Sequence, residues 1–215
     1  MFGSLAPDQL VARSRTLYTN ARDTPAIATV LADPYGYTTA DFDDGLARVQ
    51  ALQQAIADRA REYGEQYTAT EASDDATADL EALFAAHRRL ARAAVGRGTA
   101  RYGALGLAGK IADGEAALFD QAGTFYQALT DDPALADGIR GLTPAAVAAG
   151  LAAVEAARVA EDTQVKETGE AQRATVTRDA ATRALRVHAS ELAEVAKVAL
   201  ASQPQLRELL GLLER

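Results

Sequence analysis

The chain has 215 residues, which is enough for one large domain or two small ones with a substantial core. Its formal net charge of −8 argues against a general nucleic-acid binder and against adsorption to an anionic membrane, because both need clustered cations. The absence of cysteine excludes disulfides, thiolate catalysis and metal sites with cysteine ligands. Residues that favour strands are few and never alternate over a useful length, so the composition predicts an all-α fold.

The first two predicted helices are marked by prolines. One helix should cover residues 5–21, with Pro7 in its first turn, where a missing N–H costs nothing. A short second helix should begin with Thr24 as N-cap and Pro25 at the first helical position. It should end at the turn formed by residues 33–36.

A third helix should begin after Thr38, with Asp41 three residues later completing a pattern similar to a capping box. Its apolar stripe has helical spacing and consists of Phe42, Leu46, Val49, Ile56, Tyr63 and Tyr67. A fourth helix should end near residue 97, with a stripe of Leu80, Leu83, Phe84, Leu90 and Ala94.

The junction between these two helices contains neither a proline nor a pair of glycines. Phe42 and Leu80 are 38 residues apart in the sequence. At 3.6 residues per turn this is about 10.6 turns, so a straight helix would place the two side chains on nearly opposite faces. We therefore predict a turn around Glu71–Asp75, with Gly64 as the alternative break. One unbroken helix is the less favoured interpretation.

The second half of the sequence repeats the first at an offset of 105 positions. Residues 36–95 align with residues 141–200 without a gap, and 20 of the 60 positions are identical. Thr143 and Pro144 repeat the threonine cap, and Gly150 matches Gly45. This similarity predicts an internal duplication, with repeat 1 over residues 1–107 and repeat 2 over residues 108–215.

Each repeat is interpreted as a three-helix unit with long apolar stripes and few large side chains. Such a unit buries little apolar surface by itself, so two of them should pack together. We therefore predict one antiparallel helical bundle of six long helices with short connecting helices.

The second half also resembles a known family. The similarity lies in GEAQRAT at residues 169–175, RDA at 178–180, AKVAL at 196–200, and PQL and LLGL at 204–206 and 209–212. These segments resemble a family of uncharacterised bacterial proteins that are internally duplicated and all-helical. The resemblance implies this fold over nearly the whole chain, and it implies no activity, cofactor or site residue. The chain departs from the family pattern where His188, Ala189 and Leu192 replace a Trp-Met pair and a Phe.

Histidine is the side chain best suited to acid–base chemistry at neutral pH, and the sequence has two. His87 and His188 both lie on or beside predicted apolar stripes. The 105-residue register pairs His87 with Leu192 and His188 with Leu83, so the two histidines do not occupy matching positions. We interpret them as hydrogen-bonded side chains at helix interfaces, with a ligand or base role as the alternative.

The remaining patterns do not match a reaction centre. No Glu-x-x-His is present, which argues against a di-iron bundle. Residues 41–45 resemble the start of a calcium loop, but the glycine comes one residue early and the twelfth position is Leu52 rather than glutamate. Acidic clusters such as Glu71–Asp79 are typical of a solvated helix surface. No phosphate loop, serine nucleophile elbow or zinc-ligand spacing is present, so we predict no enzyme, no cofactor and no metal.

One basic cluster stands out in this acidic chain. It consists of Arg88, Arg89, Arg92, Arg97 and Arg101. Cations at the C-terminus of a helix complement its dipole, and this is the simpler explanation. The alternative is a patch that docks an acidic partner or an anion.

The expected function is a non-enzymatic structural or protein–protein interaction role, including self-association, with a second copy or another protein as partner. The alternative is a small-molecule-binding bundle with an apolar pocket between helices, for which Tyr63, Tyr67, His87 and His188 are the candidate residues. The N-terminus lacks the basic and apolar segments of a secretory signal. We therefore expect a cytoplasmic protein.

Overall fold

The structure is a computed structural model that describes residues 2–212. Over that range it is all-helical, as predicted, with no strand. The helices are α1 Pro7–Asp23, α2 Pro25–Ala32, α3 Thr39–Ala94, α4 Ala100–Ala104, α5 Glu115–Asp131, a 3₁₀ helix at Pro133–Ala136, α6 Pro144–Ala199 and α7 Pro204–Leu209.

The helix starts lie close to the predicted positions, but the side chain of Thr24, the predicted N-cap of α2, makes no capping hydrogen bond. Both the backbone N–H and the hydroxyl of Thr38 donate to Asp41 Oδ2 at 2.7 Å. The carboxylate half of the predicted capping box is therefore present, but the Thr38 hydroxyl donates to the carboxylate instead of accepting from the Asp41 N–H, which bonds to the Thr38 carbonyl. At the start of α6 the backbone N–H of Ala146 donates to Thr143 Oγ1 at 3.2 Å. Pro7, Pro25 and Pro144 each open a helix, where the missing N–H would have had no intrahelical partner.

The predicted break in the third helix is wrong. Helices α3 and α6 are each continuous over 56 residues, through both Glu71–Asp75 and Gly64 in α3. A single glycine costs a helix only about 1 kcal/mol relative to alanine, and residues 65–79 contain no proline and several good helix formers. The predicted six long helices are thereby replaced by two very long helices, two helices of 17 residues and shorter segments.

The described chain divides into two compact units. Unit 1 comprises Met1–Gly64 and Glu170–Arg215, and unit 2 comprises Glu65–Gly169. The divisions fall within α3 and α6, so each unit combines residues of both predicted repeats. In the 105-residue register the two division points, Gly64 and Gly169, are the same position.

Each unit has its own apolar core. In unit 1, α1, α2 and α7 pack against the first part of α3 and the last part of α6, and the core includes Leu10, Tyr18, Phe42 and Leu185. In unit 2, the last part of α3 and the first part of α6 enclose α5 side chains such as Phe125. Phe42 and Leu80 therefore pack in different cores, and the argument that they must share one helix face does not apply.

The stripe predicted for the third helix is buried only near the start of α3, whereas Leu80 and Phe84 of the stripe predicted for the fourth helix are fully buried. Phe42 and Val49 are buried and Leu46 and Ile56 are half-buried, but Tyr63 and Tyr67 are 45% and 66% exposed. The middle of α3 instead buries small side chains, Ala69 and Ser73.

Two helix glycines make room for a tyrosine ring. In unit 1 a Cβ atom at Gly45 of α3 would overlap the ring of Tyr18 from α1. In unit 2 a Cβ atom at Gly150 of α6 would overlap the ring of Tyr126 from α5. Both tyrosines are fully buried, so each glycine is explained by close packing of a ring on the helix backbone.

Candidate functional site

The buried tyrosine of each unit is hydrogen-bonded to a histidine. In unit 2, His87 Nδ1 lies 3.0 Å from the Tyr126 hydroxyl, and both side chains are buried. The rings of Phe84 and Phe125 pack edge-on against Tyr126. Burial lowers the pKa of His87 and raises the pKa of Tyr126 to about 12. Both groups are therefore neutral at pH 7, and the pair satisfies two buried polar groups in an aromatic core.

In unit 1 the corresponding pair has a third member. The Tyr18 hydroxyl lies 2.6 Å from His188 Nδ1, and His188 Nε2 lies 3.5 Å from Asp44 Oδ2. A proton on Nε2 would face the carboxylate, and Nδ1 would then accept from the tyrosine. Burial, followed by the nearby Tyr37, raises the pKa of Tyr18 above its usual range. Tyr18 is fully buried, but the His188 side chain is 26% exposed.

His188 reaches the surface at a shallow polar recess of unit 1. The recess has a volume of about 360 Å³ and is lined by Tyr35, Gly36, Tyr37, Asp41, His188, Glu191 and Val195. Hydrogen bonds from Thr38 lower the pKa of Asp41, so this carboxylate is charged but already engaged at the helix start. Of the hydrogen-bonded groups Tyr18, His188 and Asp44, His188 is the one that lines this recess.

Unit 2 contains a larger and more apolar cavity of about 510 Å³. It lies between the end of α5, the 3₁₀ helix and the start of α6. Its wall consists of Leu129, Thr130, Pro133, Ala136, Asp137, Gly138, Leu142, Pro144, Val147, Ala148 and Leu151. Volume and lining are both typical of a small-molecule site.

Three of the five arginines in the predicted basic patch bind backbone carbonyls within unit 2. Arg88 donates to the carbonyl of Ala108 at 2.8 Å, and Arg92 donates to that of Leu107 and to that of Gly109. Arg101 donates to the carbonyls of Leu135 and Asp137. These bonds fix the segments that follow α4 and precede α6, so the structure gives these arginines an architectural role. Arg89 and Arg97 are exposed, and docking of an acidic partner there stays a prediction.

The four candidate pocket residues do not line one pocket within either unit. In unit 1, Arg59 lies over the ring of Tyr63 and donates to Thr175, which is thirteen residues before His188, or about 20 Å along α6. In unit 2, Tyr67 and His87 lie twenty residues apart on α3, or about 30 Å. Of the four, His188 alone borders one of the cavities described above.

The sequence interpretation missed an exposed apolar row on α6. Val176, Val187 and Val198 are 66%, 69% and 66% exposed, and all three lie in unit 1. We call these three residues the valine row. Their spacing of eleven residues is close to three helical turns, so they lie along one face of the helix. This recurrence of valine was the sequence signal that could have revealed the row.

No helix among residues 2–212 combines the length and apolar character needed to cross a membrane.

No family model matches the chain, and neither a curated protein nor a solved structure matches it. The resemblance to duplicated bacterial helical proteins therefore stays a prediction.

Proposed function

We propose that this protein is a non-enzymatic helical protein that associates with a second copy of itself through the valine row of α6. The observation that carries the proposal is the exposure of Val176, Val187 and Val198 along one helix face. Burying a valine side chain stabilises an interface by roughly 1.5 kcal/mol or more. Burial of three valines therefore favours association of two chains. Single exposed apolar residues are ordinary, and neighbouring valines of the row are about 16 Å apart along the helix, so the small side chains between them must contribute to a continuous apolar face.

The neighbours of the valine row suit close approach of another helix. Ala180 and Ala184 are exposed on the same side of α6, between Val176 and Val187. Alanine side chains let two helix backbones approach more closely than larger residues do. Arg183 is also exposed on this face, so an approaching helix must leave room for its long side chain.

An antiparallel arrangement of two copies brings the valines together and pairs one set of opposite charges. If two α6 helices cross antiparallel near residue 182, Val176 of each copy lies near Val187 of the other. Arg173 then lies opposite Glu191 of the second copy, and the twofold symmetry repeats this pair. Each exposed pair contributes less than about 1 kcal/mol, and the exposed Arg183 side chains of the two copies lie close together at this crossing, so the valines rather than the charges supply the affinity.

We also infer that the two repeats arose by duplication and that the associating face belongs to repeat 2. Both units place a tyrosine ring over a helix glycine, and the division points Gly64 and Gly169 coincide in the 105-residue register. In that register the valine row corresponds to Glu71, Ala82 and Ala93 of repeat 1. The first repeat therefore has no equivalent row.

The test is the mass of the protein in solution. We expect the wild-type chain to sediment as a dimer, and Val176→Glu/Val187→Glu to sediment as a monomer with unchanged helical circular dichroism. The matched control is Ala82→Glu/Ala93→Glu, which adds the same charge to exposed positions of α3. We expect this control to remain a dimer. A wild-type protein that stays monomeric at high concentration, or a dimer that survives the valine substitutions, would contradict the proposal.

A further inference from the structure

We infer that the apolar cavity of unit 2 is a binding site for a small aromatic molecule. It has a volume of about 510 Å³, is walled mainly by aliphatic side chains and backbone, and lies entirely within one compact unit. Ligand sites in proteins commonly have this size and this composition. The inference is independent of the valine row, which lies on another unit.

The cavity exists where repeat 2 has a shorter connection than repeat 1. Eleven positions separate Pro25 from Gly36, whereas eight separate Pro133 from Gly141. In unit 1 this connection forms α2, an eight-residue helix that buries Ile27 and Leu31 completely. In unit 2 it forms a four-residue 3₁₀ helix with no buried residue, followed by a single buried side chain, Ile139. The shorter connection supplies less side-chain volume to the space beneath it.

Unit 1 indicates what kind of group fits in this space. There the rings of Tyr37 and Phe42 stack in parallel, with centroids 6.1 Å apart and an interplanar angle of 2°. The 105-residue register places Leu142 and Val147 at these two positions in unit 2, and both line the cavity. Two aromatic rings are thus replaced by smaller aliphatic side chains. The missing component is aromatic, which is why we assign a planar aromatic ligand rather than an alkyl chain.

The polar groups at the cavity narrow the ligand class further. Thr130 already donates its hydroxyl hydrogen to the carbonyl of Tyr126, whereas the side chain of Asp137 is exposed at the wall. A carboxylate accepts hydrogen bonds and repels anions. The cavity therefore suits an aromatic ring that carries an N–H or an amine, and disfavours one that carries a carboxylate.

The first experiment uses the wild-type protein and indole as the probe. In methyl-resolved NMR we expect indole to shift the methyl signals of Leu142, Val147 and Leu151, with a dissociation constant of roughly 1 mM or tighter. The methyl signals of Val49 and Leu52 in the core of unit 1 should not move. Tryptamine should bind at least as tightly as indole, and indole-3-acetate more weakly.

The second experiment transfers the ring pair of unit 1 into unit 2. Leu142→Tyr/Val147→Phe should fill the cavity and weaken indole binding at least tenfold. The matched control is Tyr37→Leu/Phe42→Val, which should leave the indole-induced shifts of Val147 and Leu151 unchanged. If the filled variant fails to fold, the wild-type titration still decides the question. Absence of shifts at saturating indole, equal shifts in both units, or undiminished binding by a folded filled variant would overturn the inference.

Discussion

The two units contain the same tyrosine–histidine pair in different surroundings. In unit 2, His87 and Tyr126 are buried among phenylalanine rings. In unit 1, His188 connects the buried Tyr18 to Asp44 and borders a polar recess. The packing of a tyrosine on a helix glycine is common to both units, whereas the access of the histidine to solvent differs. The tyrosine–glycine contact is therefore part of the architecture of both units, whereas the histidine reaches the surface in unit 1 and is buried in unit 2.

The histidines also reach their tyrosines from different positions of the register. His188 corresponds to Leu83 and His87 to Leu192, which is one helical turn further along. Two positions on the same helix face can thus supply the partner of one tyrosine hydroxyl. A buried hydroxyl needs a partner but does not specify which turn of the neighbouring helix provides it.

The largest expected effect on the free energy of unfolding concerns the contact between a tyrosine ring and a helix glycine, which is present in both units. Gly45→Ala in unit 1 and Gly150→Ala in unit 2 each place a Cβ atom inside the space of a buried tyrosine ring. Because the ring and the helix backbone must both shift, we expect each variant to lose about 1–3 kcal/mol of unfolding free energy. Urea unfolding followed by circular dichroism measures the loss.

Gly64→Ala is the matched control for these variants. It lies in the interior of the same helix as Gly45, but no atom lies within 4 Å of the added Cβ. We expect a gain of up to about 1 kcal/mol from helix propensity. Equal effects at Gly45 and Gly64 would show that the tyrosine contact does not determine the glycine.

Local rules in the sequence predicted the helix starts but not the helix lengths. Thr38, Asp41 and Pro144 act through neighbours within one turn, so their pattern suffices to place a helix start. The break at Glu71–Asp75 was inferred from the phase of Phe42 and Leu80 on the assumption of one common core. That assumption fails because these side chains pack in two different cores, a fact of long-range topology that helical periodicity does not contain.

The second expected effect distinguishes the two tyrosine–histidine pairs by the stability that each tyrosine hydroxyl contributes. Tyr126→Phe leaves the buried His87 ring nitrogen without its tyrosine partner, which should cost about 1–3 kcal/mol of unfolding free energy. Tyr18→Phe should cost less, about 0.5–1.5 kcal/mol, because the half-exposed His188 can bind water instead. Parallel urea titrations compare the two. A larger loss for Tyr18→Phe would reverse the assignment of the buried and the accessible pair.

The third expected effect is a pH dependence that arises in unit 2. Burial lowers the pKa of His87 in the folded protein below its unfolded value of about 6.5. Below about pH 6.5 the unfolded chain therefore binds a proton that the folded protein does not. Stability is fully present above that pH and is lost as the pH falls toward the lowered pKa, by up to roughly 1.4 kcal/mol per pH unit.

His87→Leu removes this titration, and leucine already occupies the matching position, 192, in the core of unit 1. Urea unfolding between pH 7 and pH 5 should show a shallower slope for the variant than for the wild type. An unchanged slope would mean that other groups cause the pH dependence.

The candidate sites were only partly predictable. The sequence interpretation placed both histidines at helix interfaces, and their hydrogen bonds to Tyr18 and Tyr126 agree with it. It could not find those partners, because they lie 170 and 39 residues away in the chain. The unit 2 cavity was also missed, although the shorter connection before Gly141 is visible in the alignment. The alignment shows that the connection is shorter, but only the structure shows that neighbouring side chains do not fill the space.

The smallest expected effect concerns Asp44, the carboxylate beside the tyrosine–histidine pair of unit 1. Asp44→Asn removes the carboxylate that lies 3.5 Å from His188 Nε2 and 2.8 Å from Arg48 Nε. Both contacts are at the surface, where an ion pair contributes less than about 1 kcal/mol, so the unfolding free energy should hardly change. Parallel urea titrations of Asp44→Asn and the wild type at pH 7 measure the difference. A loss above about 1 kcal/mol would contradict the assignment of both Asp44 contacts to the surface.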